Sequence, residues 1–531
     1  MTANDAVTTN DGVTTNDGVT TNDGVTTNDG VTRSDGRAAS AGRAASDGPA
    51  LTDGRVVADG GSTAERAEVV WVSPDAGPAE LVVCVDIGST YTKAALVDVT
   101  HGVLVATGSH PTTLATDVLD GVDALLAVFA TGRPGAHLSR VLACSSAGGG
   151  LRLAVVGHER AVTGEAGRRV GLSAGARIVH VAAGPLDHDG LQALADAEPD
   201  VLLLVGGTDG GNAAVLRHNA TALAAQGTSL AGTPVVVAGN ASVRTEVCAS
   251  LAMTGRRVLP TANVLPRIGV LDPGPARAAV RAVFLRHVIG GKGLSAGSRL
   301  GAMLRGATPD LVLTGVEVLA DGSGAVPGAG DVVTVDVGGA TTDVYSVLTP
   351  DPEEASLRRE IVEVMWRSRT VEGDLGMRWN APGVVAAATA ERLLPAAEAE
   401  PLSIAAAVRA TDPGYQDADG ADRRLAELAM TAALRRHARG SAPNESPRSP
   451  ARDLRQVRLV VASGGVFRHA DPATGAAMIA GPLADHGGGW LVPERPVTTV
   501  DSHYVLAAAG LLAADHPLVA AQLTHRYLSV G

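Results

Sequence analysis

The chain has 531 residues, more than one compact core usually takes, and 45% are apolar although only 2% are aromatic. At least two domains packed on Val, Leu and Ala are expected. The net charge of −13 argues against a nucleic-acid partner held by phosphate contacts, and the three scattered cysteines, Cys84, Cys144 and Cys248, suggest neither a disulfide framework nor a CxxC metal site and fit a reducing cytoplasm.

The chain opens on a repeat. Asn4-Asp5, Asn10-Asp11, Asn16-Asp17, Asn22-Asp23 and Asn28-Asp29 recur every six residues within Val-Thr-Thr-Asn-Asp-Gly units. One Val per unit buries too little surface to offset the entropy of ordering, so residues 1–78 are expected to be a disordered low-complexity tail. It lacks the basic and apolar regions of a signal peptide. No stretch approaches the ~18 consecutive apolar residues of a membrane span, so no membrane association is expected.

The folded part is expected to start near Ala79. Leu81 to Val85 reads as an apolar strand ending at Asp86, followed by Ile87, Gly88, Ser89 and Thr90 and a return strand carrying Thr92 and Lys93 to Asp98. Such a tip offers unpaired N–H groups and hydroxyls to a phosphate. Lys93 and Lys292 are the only lysines among 43 basic residues. A chain that otherwise uses arginine keeps a compact ammonium in this loop, and neither lysine sits in a Walker A pattern. His101 to Thr107 reads as a third strand. Val118 to Ala130 has helical spacing after Thr116-Asp117, a good N-cap.

Val141 to Ser145 is a strand feeding Gly148-Gly149-Gly150. Leu151–Val156 continues as strand, before a helix near Glu165–Val170. From Ala176 strand and helix alternate: strands over Ile178–Ala182, Val201–Val205 and Val235–Ala238, with helices over Leu191–Ala197 and from Ala213. This predicts an inserted α/β unit. Its loop Gly206 to Asn212 follows a strand end, where open α/β sheets bind ligands, although a tight turn would look the same. Ala279 to Ile289 reads as a helix. Gly291-Lys292-Gly293 matches a dinucleotide fingerprint only formally, because it follows a helix.

A Gly/Pro-rich stretch, Asp321 to Gly330, precedes Val332–Val335, Asp336, Gly338, Gly339, Thr341, Thr342, Asp343 and Val344–Val347. This repeats the grammar of the first hairpin: strand, acid, glycine, hydroxyls, strand. A polar β-turn is the plain alternative for one such segment, but two of them suggest duplicated halves that each offer a hairpin to one nucleotide. The charges of Asp351 to Arg369 read as a solvated face. Glu372 to Asn380 follows, then a polar loop over Arg435 to Asp453. Val457 to Ala462 is a third buried strand, running into Ser463-Gly464-Gly465. Asp501 to Leu512 reads as an apolar C-terminal helix.

The three strand–turn segments, in this order, resemble the phosphate-1, phosphate-2 and adenosine motifs of the actin-like ATPase superfamily. DIGSTYTK, GGTDGGN, DVGGATTD, EGDLGMRWN and SGGVFRH together look like the family of MutL-type accessory proteins of glutamate mutase, from about Leu81 to the C-terminus. The resemblance implies an α/β actin-like, ribonuclease-H-like fold of duplicated halves. They would span 79–330, with the inserted unit, and 331–495, and a helix in 496–531 would return to the first half. It implies ATP and Mg²⁺ as cofactors, with Asp86 and Asp336 facing each other as metal carboxylates. Gly88, Ser89, Thr90 and Lys93 would take the phosphates from one side, and Gly338, Gly339, Thr341 and Thr342 from the other. Asp336 or Asp343 would orient the attacking water, and Gly464 and Gly465 would let the backbone approach the adenosine. Glu372 stands where many relatives bridge the lobes.

The implied function is that of an ATP-driven chaperone or reactivating factor whose partners are the subunits of an adenosylcobalamin-dependent mutase; a homo-oligomer is compatible with it. The mutase itself is a poor reading: Asp501-Ser-His503 begins DxHxxG, but Leu506 stands where Gly is needed. A small-molecule kinase would need an acceptor pocket with a base, which no aromatic or acidic cluster supplies. A filament or divisome component of actin or FtsA type would favour an amphipathic C-terminal helix, and Ala507 to Ala514 is too uniformly apolar.

Overall fold

A computed structural model describes residues 55–57, 67–73, 79–133, 137–225, 230–291, 293–349, 366–412, 414–415, 417, 420–439 and 452–529. The repeats, Lys292, most of the charged stretch after Asp351 and most of the polar loop before Asp453 lie outside the described residues.

The first sheet holds β1 (Arg55–Val57), β2 (Glu68–Trp71), β3 (Glu80–Ile87), β4 (Tyr91–Asp98), β5 (Val103–Pro111), β6 (His137–Ser145) and β12 (Leu304–Ala307), in the order β1-β2-β5-β4-β3-β6-β12. β3, β4 and β5 form an antiparallel meander, while β6 runs parallel to β3 and β12 parallel to β6. The last sheet holds β15 (Val332–Val337), β16 (Thr342–Val347), β17 (Arg367–Glu372), β18 (Leu459–Ser463) and β19 (Val497–Val500), in the order β17-β16-β15-β18-β19. Its pairings repeat the pattern, with a meander through β15, β16 and β17 and parallel β18 and β19. Both sheets thus follow strand order 3-2-1-4-5. This is the duplicated ribonuclease-H-like architecture of the actin-like fold.

Between β6 and β12 lies the inserted unit. Its sheet is wholly parallel: β7 (Arg152–Gly157), β8 (Arg177–Ala183), β9 (Val201–Leu204), β10 (Val235–Val237) and β11 (Val258–Pro260) lie in the order β11-β10-β9-β7-β8. Its central strands β9 and β10 are wholly apolar and buried, as expected for a parallel sheet covered on both faces. β13 (Gly322–Ser323) and β14 (Val326–Pro327) form a small antiparallel hairpin within the Gly/Pro-rich stretch before β15.

Two differences from the sequence expectation stand out. The first sheet takes in Arg55–Val57 and Glu68–Trp71, both inside the expected tail 1–78 and upstream of the expected start at Ala79; a Cβ at Gly132 would collide with the Trp71 ring, so the second of these strands is locked onto the first helix, Val118–Gly132. The end of the stretch read as a solvated face, 367–369, instead opens the strand Arg367–Glu372, with Ser368 and Arg369 buried, because Arg369 has a carboxylate partner inside.

Strand alternation decides what each sheet aims at the other. On β3, Leu81, Val83, Val85 and Ile87 pack into the core that holds helix Val118–Gly132. Val82 and Cys84 face the opposite way, into a layer shared with Val332, Tyr345 and Val347 of the last sheet. Helices Thr308–Asp321, Val505–Leu512 and Pro517–Leu528 fill that layer. The parity of β3, β15 and β16 therefore turns Asp86, Asp336 and Asp343 toward it as well. In the layer, two helices cross at glycines: a Cβ at Gly315 would strike the Leu506 carbonyl, and one at Gly510 the Leu311 carbonyl.

Candidate functional site

Each hairpin tip is closed the same way. Gly88 N–H donates to Tyr91 O at 3.1 Å and Gly338 N–H to Thr341 O at 2.9 Å. A Cβ at either glycine would press on that same carbonyl, 2.6 Å away at Gly88 and 2.9 Å at Gly338, closer than side chains normally sit. The two tips adjoin: a Cβ on Gly339 would lie 3.4 Å from Thr90 Oγ1. Residues 372–380 clamp the second tip. Met377 N–H donates to Gly338 O, those of Arg378 and Trp379 to Gly339 O, and Asn380 Nδ2 to Ala340 O at 2.7 Å.

Three carboxylates gather behind the tips. Asp86 takes a hydrogen bond from Thr308 Oγ1 at 2.6 Å, and Lys93 Nζ, opposite it on β4, lies 3.8 Å away. Asp343 is opposite Asp336 on the antiparallel pair. Asp343 takes Arg369 Nε at 2.7 Å and Thr341 Oγ1 at 3.1 Å. Burial pushes the Asp336 carboxyl up to about 6 against the pull of Lys93, and the neighbouring Asp343 and Asp86 add to the push. Lys93 also lies 4.8 Å from the centroid of Tyr504, a ring that carries the Arg468 guanidinium 4.0 Å away. Tyr504 has φ 56°, in the left-handed region that a non-glycine residue rarely occupies. At the third motif Gly464, at φ 115°, lies so close to the Val337 carbonyl that a Cβ would collide with it, while Gly465 is exposed.

A family model described as MutL protein matches residues 82–528. Protein MutL of Clostridium tetanomorphum is 34% identical over 457 residues, covering 83% of this chain and 98% of the relative. The chain belongs to the MutL family. Among solved structures, an acetone carboxylase is 15% identical at TM-score 0.37, with 82% of this chain and 70% of that one covered. A glycerol dehydratase reactivase is 14% identical at TM-score 0.33, with 82% and 100% covered. The duplicated strand order, not these distant likenesses, carries the fold.

Within this MutL-family chain, Asp86, Ser89, Thr90, Lys93, Asp336, Gly338, Gly339, Thr341 and Asp343 lie at or behind the two tips, with Gly464 and Gly465 beyond β18. Thr342 does not join them: it is buried on the far face of β16 and donates to Leu375 O at 2.5 Å. Glu372 pairs with Arg436 of its own half at 3.0 Å, rather than bridging the lobes, and burial pushes its carboxyl up to about 7. The Gly206–Asn212 loop is tied to the neighbouring segments 240–241 and 263: Asp209 accepts from Ala241 N–H and Asn263 Nδ2, and Asn240 bonds both Gly210 N–H and Gly211 O. Asp501 caps helix Val505–Leu512 through Val505 and Leu506 N–H, which accounts for it without cobalamin.

Four residues of the site were missed. Thr308 and Arg369 support Asp86 and Asp343 from remote segments, and nothing in a single sequence ties them there. Tyr504 reads as the start of an apolar helix. Arg468 stood within reach, four residues after Gly464, and its Nη1 is buried without a hydrogen-bond partner.

Proposed function

We propose that this chain binds and hydrolyses ATP with Mg²⁺ between its two halves and serves as an accessory, reactivating factor for an adenosylcobalamin-dependent mutase of the glutamate (methylaspartate) mutase kind. The observation that carries the reading is the convergence of Asp86 and Asp336, from equivalent strands of duplicated sheets, on one layer behind apposed hairpin tips, with Lys93 beside Asp86.

The donor set fits a hard divalent cation. Three carboxylates share a semi-buried space, and Asp343 and Asp86 add to the burial that pushes the Asp336 carboxyl up, which calls for further positive charge. Among the described residues no three His, Cys, Asp or Glu side chains have the geometry to hold a metal by themselves. That suits Mg²⁺, which typically takes one or two carboxylates and completes its shell with water and phosphate oxygens. When bound, the ion would neutralise charge on the phosphates. Lys93 would add a point charge, Ser89, Thr90 and Thr341 would offer hydroxyls, and the tip N–H groups would cradle the oxygens. Asp343 is engaged by Arg369, so Asp336 is the carboxylate left to orient the attacking water.

Membership of the MutL family supports the choice of partner. A nucleotide held between two lobes favours closed forms, and closure would pry at a bound mutase so that damaged cofactor leaves. ATP and ADP forms must then bind the mutase unequally. The test mixes the chain with a glutamate mutase whose cobalamin has been inactivated. Recovery is expected to need ATP, Mg²⁺ and fresh cofactor. Equal recovery without ATP, or phosphoryl transfer to a small acceptor, would overturn the reading.

A further inference from the structure

The inserted unit touches the supports of both halves' carboxylates with one structural feature, the end of helix Glu165–Ser173. On one side is Arg369, only 5% exposed. Its Nε and Nη2 hold Asp343 Oδ1 at 2.7 and 2.5 Å, and its Nη1 donates to the Leu172 carbonyl at 3.3 Å. Leu172 lies in the last turn of the helix, where carbonyls carry partial negative charge, and that turn has no basic residue of its own. The cation comes from the other half.

On the other side is Gly175, just past the helix, at φ 77°. A Cβ there would lie 3.0 Å from Asp310 N and 3.1 Å from the Ala307 side chain. These residues flank Thr308, whose hydroxyl holds Asp86. The helix end is thus lodged between the group that steadies Asp86 and the group that steadies Asp343. At its other end Glu165 is bound by Arg168 and Arg169 at 2.7 Å each.

We propose that Arg369 is a positioning residue that couples the candidate site to the inserted unit: occupancy between Asp86 and Asp336 is relayed, through Asp343 and Arg369 on one side and the Gly175 contact on the other, to the end of helix Glu165–Ser173, and the inserted sheet shifts with it. This rests on the nucleotide reading above. Arginine suits the post because its planar fork serves a carboxylate and a carbonyl at once, which an ammonium on a flexible stem does not. The coupling needs two arrangements of the helix end that bind the loaded and empty site unequally. The inserted unit is then the part of the chain whose position reports the nucleotide.

The experiment is amide hydrogen exchange, with and without saturating MgATP, in wild type, Arg369→Lys, Arg369→Met and Gly175→Ala. Saturation, set from each variant's own titration, removes differences in affinity. In wild type, nucleotide is expected to change exchange both in the hairpins 80–98 and 331–347 and in the insert 152–260. In all three variants the insert's response should fall by about fivefold or more while the hairpins still respond. Gly175→Ala leaves the site residues untouched and keeps the test valid if the Arg369 variants fold poorly. An undiminished insert response in the folded variants overturns the coupling. So does a wild type whose hairpins respond while the insert does not, and that result leaves the nucleotide reading standing. A wild type in which neither region responds sinks both.

Discussion

Asp336 and Asp343 stand directly opposite each other on β15 and β16, on one face of the sheet, yet their surroundings differ. Asp343 has an arginine at its carboxylate, whereas burial, with Asp343 and Asp86 nearby, pushes Asp336 up to about 6. A protonated Asp336 offers a cation nothing. Mg²⁺-dependent nucleotide affinity is therefore expected to rise with pH through about 6 and level off above it. Asp336→Asn should weaken it and flatten the profile. Titrations on either side of that pH check this; an unchanged profile in Asp336→Asn would assign the transition elsewhere.

Arg468 has a buried nitrogen with no acceptor and its guanidinium on the Tyr504 ring beside Lys93. An orphaned donor at a cleft calls for a ligand oxygen. Arg468→Met is expected to weaken nucleotide binding by ~10-fold or more, since hydrogen bonds to charged groups are worth about 1.5–3 kcal/mol. Affinity equal to wild type would leave Arg468 a purely structural residue.

The helix crossing at Gly315 and Gly510 leaves no room for a methyl group. Overpacking of this kind costs about 1–3 kcal/mol. Gly510→Ala should lower the thermal midpoint by several degrees, whereas alanine at Gly481, where a Cβ meets nothing within 4 Å, should change it little. Equal midpoints for the two variants would mean that the crossing can open.

His437 is buried between Thr370 Oγ1 and Ser346 Oγ, each 2.9 Å from a ring nitrogen. Burial, with Arg452 adding, holds it well below the usual histidine range. The folded imidazole stays neutral, while the unfolded chain takes up a proton near pH ~6.5. The sign follows: the contribution is full above that pH and is lost as pH falls, at up to ~1.4 kcal/mol per unit. Denaturation midpoints at neutral and mildly acid pH should differ less in His437→Gln than in wild type.

The two hairpins were legible because such a turn is local: strand, acid, glycine and hydroxyls are adjacent in the chain. The inserted unit was legible for a similar reason, since buried parallel strands such as Val201–Leu204 write themselves as apolar runs. What the sequence hid is long-range. Arg369 looked like one charge in a polar stretch until β17 placed it beside Asp343 and under Leu172. Thr342 looked like another phosphate hydroxyl, and strand parity sends it the other way, to Leu375. Strand Glu68–Trp71 was hidden inside the stretch read as a tail; its pairing with β5 and the packing of Trp71 on Gly132 fix it in the sheet.

The central claim is that a metal-bound nucleotide sits between Asp86 and Asp336. Calorimetric titration of ATP into wild type and Asp86→Asn, each with and without Mg²⁺, tests it most directly. The account predicts that Mg²⁺ tightens ATP binding to wild type by ~10-fold or more and that Asp86→Asn, still folded, loses that gain. No ATP binding by wild type, or the same Mg²⁺ response in Asp86→Asn, would contradict it.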